Sequence, residues 1–100
     1  MRSQLEKAAR LFEEANKVRP EDYQAPLLVA QVYEKLDRPS SAEEARRRGL
    51  RNVEEHLKLN PDDARALYLA ANGLVALGEK EKGLEWLSRA LELGPRESML

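Results

Sequence analysis

Apolar residues recur along this chain at intervals of three and four, with charged residues between them, and three prolines end the runs in similar ways: KVRP at Pro20, KLNP at Pro61 and ELGP at Pro95. That spacing puts side chains on one face of an α-helix. Counted back from the prolines, Ala8, Phe12 and Ala15 share their spacing with Gly49, Val53 and His56, and again with Gly83, Leu87 and Ala90. The small members let a neighbouring helix come close, and the large one fills the gap between them. The segments after Pro20 and Pro61 also match: Pro26, Val29, Ala30, Tyr33 and Leu36 correspond to Leu67, Ala70, Ala71, Leu74 and Leu77 at an offset of 41. Pro61 and Pro95 lie 34 apart, and Pro20 and Pro61 lie seven residues further apart than that.

Five helices follow from the pattern. The first is expected over 4–17. Asp22 is a suitable N-cap for the second, which ends near Leu36, and Pro26 falls in its first turn, where a missing N–H costs little. Ser40 and Ser41 each precede a glutamate by three residues (Glu43, Glu44), the capping-box pattern, so the third helix is expected to start there and reach about Leu59. The seven extra residues amount to about two helical turns, which lengthen a helix without rotating its apolar face far. Ala42, Ala45, Gly49, Val53 and His56 keep one stripe through the insertion, with a kink at Gly49 as the alternative. The fourth helix begins behind Asp62 or Asp63 and stops at Leu77–Gly78; the fifth runs from Glu81 and closes at Gly94–Pro95.

Large, apolar and small residues on a first helix, a turn, then small, large and small residues on a second helix closed by proline resemble the tetratricopeptide repeat. The resemblance covers nearly the whole chain, is strongest over 64–97 and is weakest in the middle unit. It implies an all-α fold, an α-solenoid of antiparallel helix pairs stacked as a right-handed superhelix, in which each pair buries its face against its neighbours. The organisation it implies is a second helix of one repeat at 1–20, a repeat with a lengthened second helix at 23–61, a regular repeat at 64–97 and a stub at 98–100, which reads as a piece of a longer protein. It also implies a peptide or partner domain held in a concave groove. Carried onto this chain, the groove residues are Gln24, Leu27, Gln31 and Glu34 from one helix and Arg65, Tyr68, Asn72 and Val75 from another. Gln31, Asn72 and Tyr68 are suited to hydrogen bonding an extended peptide. Family members that clamp a carboxylate use Lys and Asn; here Leu27 and Tyr68 stand where charge is wanted, so that ligand is not expected.

Composition narrows the reading further. Hydrophobic residues at 42% and charged residues at 35% suit a folded helical domain rather than a disordered chain. A net charge of −1 offers nothing to attract nucleic acid or an anionic membrane. No apolar run approaches the ~18–20 residues that span a bilayer, and MRSQLEKAAR lacks a signal peptide's hydrophobic segment, so a cytoplasmic location is the expectation. The absence of cysteine removes disulfides and thiolate chemistry. No catalytic triad, metal cluster or phosphate loop has the residues or the spacing it needs, so neither an enzyme nor a cofactor is expected.

Three features admit more than one reading. His56 is the only histidine, at a position where the matching helices carry alanine, and reads as packing. Arg46, Arg47 and Arg48 fan round a helix, with Glu43 and Glu44 four residues before Arg47 and Arg48, which reads as a salt-bridged face rather than a docking patch. Trp86 reads as edge packing, with a partner anchor as the alternative. Two further roles stand beside groove binding. Leu84, Leu91 and Leu93 lie on the side of the fifth helix that a following helix would cover, which favours self-association, including a homodimer through that edge. Arrays with a lengthened second helix also resemble those that accompany multidomain bacterial signalling enzymes.

Overall fold

The computed structural model describes residues 2–98, with side-chain surroundings through residue 93. It contains helices α1 (Arg2–Val18), α2 (Gln24–Lys35), α3 (Pro39–Leu59), α4 (Ala64–Ala76) and α5 (Lys80–Ser98). Two compact units divide the chain between Asn52 and Val53.

In the first unit α1 packs on α2. Its centre is Ala9 of α1, Val29 and Ala30 of α2 and Ala45 of α3, with Phe12, Val32 and Tyr33 around them. Asp22 starts α2 as expected, its two carboxylate oxygens accepting the backbone N–H groups of Gln24 and Ala25 at 3.1 Å each. The turn before it is held by two amides. Asn16 Nδ2 donates to the carbonyls of Arg19 and Asp22, and Asn52 Nδ2 donates to those of Pro20 and Asp22 at 2.9 and 2.8 Å. Such turns otherwise leave carbonyls without partners.

The end of α2 is a Schellman turn. Arg38 N–H reaches back to the Tyr33 carbonyl and Asp37 N–H to the Glu34 carbonyl, with Asp37 itself at φ 58°. The same two bonds close α4, from Glu79 to Leu74 and from Gly78 to Val75, and there the left-handed residue is Gly78 at φ 89°. Asp37 and Gly78 are the same position at the 41-residue offset, so one repeat uses glycine where the other forces an aspartate into a region its Cβ disfavours. Replacing Asp37 with glycine is expected to raise the stability of the first unit by about 0.5–1 kcal/mol, measured by urea denaturation.

Helix α3 runs unbroken from Pro39 to Leu59, through the seven-residue insertion and Gly49. It begins one residue before the serines. Pro39 supplies the first helical position, where its fixed φ is already helical, and Ser40 and Ser41 lie inside the helix rather than capping it. Gly49 is buried against α2: a Cβ there would stand 2.6 Å from Leu27 Cγ.

The second unit is built on α4 and α5. Asp63 is the N-cap of α4, and its carboxylate accepts the Ala66 N–H at 3.2 Å. The other carboxylate oxygen meets His56 Nε2 at 2.7 Å, so the histidine ties the end of α3 to the start of α4. Burial works to raise the Asp63 pKa, but the His56 contact and the Ala66 amide outweigh it and hold the acid below its ordinary value. One side of α4 is buried through Leu67, Ala70, Ala71 and Leu74. Ala90 of α5 is buried too, and Gly83 sits where a Cβ would meet Val75 Cγ2 at 2.7 Å and the Ala71 carbonyl oxygen at 3.1 Å.

Helix α5 does not close at Gly94–Pro95 but continues to Ser98. Proline's φ is itself helical; what it withholds is one N–H, close to a helix end where carbonyls already lack partners. Of the stub expected at 98–100, Ser98 belongs to α5, and residues 99 and 100 lie outside the described residues.

Candidate partner-binding surface

Helix α4 carries a single charged residue among thirteen, and its two long sides differ sharply. Opposite the buried side, Arg65, Tyr68, Asn72 and Val75 follow one another at intervals of three, four and three and are all exposed. Tyr68 keeps 49% of its surface and Val75 43%, which is high for large apolar side chains in a well-packed pair of helices. Val75 borders α5, since a Cβ placed at Gly83 would stand 2.7 Å from its Cγ2. The stripe is therefore an aromatic ring and an aliphatic group with a carboxamide between them, on a helix whose other side is firmly buried.

The corresponding positions of α2 behave differently. Gln31 and Glu34 are exposed and Gln24 is partly buried, but Leu27 is 5% exposed and packs under Gly49. The expectation that Leu27 faces a ligand is corrected: the glycine at 49 leaves a recess, and the leucine fills it. Glu34 is exposed yet engaged, since its carboxylate accepts from Arg46, which is 8% exposed. The neighbouring arginines are paired as well, Arg47 with Glu43 at 3.1 Å and Arg48 with Glu13 at 2.9 Å and Glu44 at 3.7 Å. This is the salt-bridged face the charge order suggests, with two of the acids contributed by α1 and α2.

The Glu13 cluster has no counterpart in the sequence reading. Glu13 accepts the Tyr33 hydroxyl at 2.7 Å on one oxygen and Arg48 on the other, so three helices meet at one carboxylate. Burial, then the hydrogen bond to Glu13 and its charge, push the Tyr33 phenol up to about 12. Glu44 lies one helical turn before Arg48 and is legible as its partner; Glu13, 35 positions away, is the nearer one.

The profile of the tetratricopeptide repeat matches the chain twice, over residues 2–54 and 46–98. The chain belongs to the tetratricopeptide repeat family. The crystal structure of MamA has the same fold, with a TM-score of 0.56 at 15% identity over 97% of this chain. The chain spans about half of that protein's length, 53%. No curated protein matches the chain.

Tetratricopeptide repeats are generally protein-interaction modules, which is the level at which membership in the family speaks to function. Among the described residues no group of three or more His, Asp or Glu could hold a metal, and no helix is long and apolar enough to cross a membrane. On α5, Leu84 and Leu91 are exposed at 59% and 60%, whereas Leu93 is partly buried and does not share their strip. Trp86 is also partly buried, with Lys82 Nζ 5.3 Å from its ring centre. His56 is partly buried and bonded to Asp63.

Proposed function

We propose that the chain is a protein-interaction module that holds an extended peptide along the exposed stripe of α4. The observation that carries this reading is the exposure of Tyr68 and Val75 around Asn72. A carboxamide both donates and accepts, so Asn72 can match the alternating N–H and C=O groups of an extended backbone. Tyr68 and Val75 then offer apolar contact to side chains on either side of the bonded peptide group, and a tyrosine at the centre of an interface is a common energetic anchor. Arg65 adds a cation at one end of the stripe and favours a peptide with an acidic residue there. Peptide-library screening followed by chemical-shift mapping tests this. The largest shifts are expected at Tyr68, Asn72 and Val75, and Tyr68→Ala is expected to weaken the selected peptide at least tenfold. Shifts that spare α4, or an affinity indifferent to Tyr68→Ala, would refute the assignment.

A further inference from the structure

Helices α1 and α5 are the same kind of helix in the repeat, and each leaves uncovered the face that the other has covered. Eleven and four residues before its proline, α1 carries Ala9 and Asn16, which are buried at 5% and 7% beside α2. The same two places on α3 hold Leu50, 9% exposed, and Leu57, partly buried. On α5 they hold Leu84 and Leu91, with more than half of each side chain exposed. The reverse holds on the adjacent face. Nine, five and two residues before the proline, α5 carries Trp86, Ala90 and Leu93, which are buried or partly buried. On α1 these are Leu11, Ala15 and Val18, all exposed, Leu11 at 58% and Val18 at 81%. Singly exposed apolar residues are ordinary, but two complementary strips at matching registers are not.

The charges beside the strips agree with this. Along the edge of the Leu84–Leu91 strip run Glu81, Glu85, Ser88 and Glu92, at intervals of four, three and four. Along the edge of the Leu11–Val18 strip run Lys7, Arg10, Glu14 and Lys17, at intervals of three, four and three. Glu81, Glu85, Glu92, Lys7, Arg10 and Lys17 are all exposed and form no ion pair among the described residues. At about 100° per residue the acidic ridge lies roughly 80° from its strip in one rotational sense, and the basic ridge lies about as far from its own in the opposite sense. Two helices laid parallel with their strips facing therefore bring the ridges to the same side; laid antiparallel they separate them. In the parallel order Lys7 meets Glu81, Arg10 meets Glu85 and Lys17 meets Glu92. Glu14 falls opposite Ser88, whose hydroxyl can donate to it.

We propose that the α5 face of one copy docks on the α1 face of a second copy, helices parallel, and that the chain associates head to tail. Because the two faces differ, the bound pair still presents one free α1 face and one free α5 face, one on each copy, so association continues past the dimer. The acidic and basic ridges set the partner and the register, and the apolar strips supply most of the attraction.

Sedimentation velocity from micromolar to millimolar concentration tests this with two double variants. Leu84→Glu with Leu91→Glu blocks one face; Leu11→Glu with Val18→Glu blocks the other. All four residues are exposed, and helical circular dichroism checks that the fold is kept. The unaltered chain is expected to rise in mean mass beyond a dimer as concentration rises, and each double variant to stay monomeric. An equimolar mixture of the two variants is expected to stop at the dimer, since pairing uses the two intact faces and leaves only the two blocked ones. Added salt should weaken the association. A monomer at every concentration overturns the proposal. So does an α1-face variant that associates like the unaltered chain, which would mean that α5 pairs with itself, and so does association that salt leaves unchanged. None of the four substitutions lies on α4, so loss of association and loss of peptide binding are read separately.

Discussion

Replacing Gly83 with valine is expected to destabilise the second unit by roughly 3 kcal/mol, the loss expected when atoms are forced into a filled site that cannot relax. The Cβ alone would stand 2.7 Å from Val75 Cγ2, 3.1 Å from the Ala71 carbonyl oxygen and 3.3 Å from the Val75 nitrogen. Two of those three neighbours are backbone atoms of α4, which cannot move without disturbing the helix. Gly83→Ala should lose less, because alanine recovers about 1 kcal/mol of helix propensity against the same clash. At Gly49 the obstacle is chiefly Leu27, whose Cγ and Cδ2 lie 2.6 and 2.7 Å from the Cβ position, and a side chain can rotate where a carbonyl cannot. The loss for Gly49→Ala is therefore expected to be smaller, about 1–2 kcal/mol. Urea denaturation followed by helical circular dichroism measures all three. A Gly83→Val chain as stable as its parent would show that the close approach of α4 and α5 is wrong.

That close approach was legible in the sequence. Gly49 and Gly83 stand at the same distance before their prolines as Ala8, and a helical stripe with small residues at fixed places already says that a second helix comes near. Asp22 was legible as a cap, and Asp63 as one of two candidates with Asp62, because an N-cap works through its own short side chain on amides two or three residues away. The serines at 40 and 41 misled for a local reason. A capping box and an N1 proline both mark a helix start, and where they compete by a residue the proline's rigid φ leaves it no cheaper place. Gly94–Pro95 misled in the same local way, since proline near a helix end withholds one hydrogen bond without forbidding the turn.

Exposure was only half legible. The groove positions come from the resemblance to the repeat family, and on α4 all four of them, Arg65, Tyr68, Asn72 and Val75, are exposed. On α2 it failed at Leu27, because burial there depends on a recess made by Gly49 on another helix. The charges show the same limit. Arg47 with Glu43 lies within one turn and can be read from spacing, but Arg46 with Glu34 and Arg48 with Glu13 are set by how the helices pack.

The Glu13 cluster carries the second large effect. Glu13→Ala is expected to cost the first unit about 2–3 kcal/mol, because it leaves a poorly solvated guanidinium and a hydroxyl without their acceptor. Arg48 and Glu13 have 27% and 29% of their side chains exposed, so water offsets part of the loss and the figure stays below that for a fully buried pair. Arg48 is also ill placed to lose its acid, since its Nε is already buried without a partner. Glu13→Gln should lose less, as a carboxamide oxygen still accepts one of the two bonds. The phenol gives a separate readout. With the Tyr33 pKa at about 12 in the folded chain and near 10 when unfolded, the folded state holds its proton more tightly. That contribution is complete below pH 10 and is lost as pH rises through 12. Absorbance titration of the tyrosinates should therefore show a Tyr33 component near pH 12, absent from Tyr33→Phe and displaced downward in Glu13→Gln. Removing the carboxylate's charge takes away part of what holds the proton, while burial remains. If Glu13→Gln left that titration where it was, the charge of the carboxylate would contribute nothing to holding the Tyr33 proton.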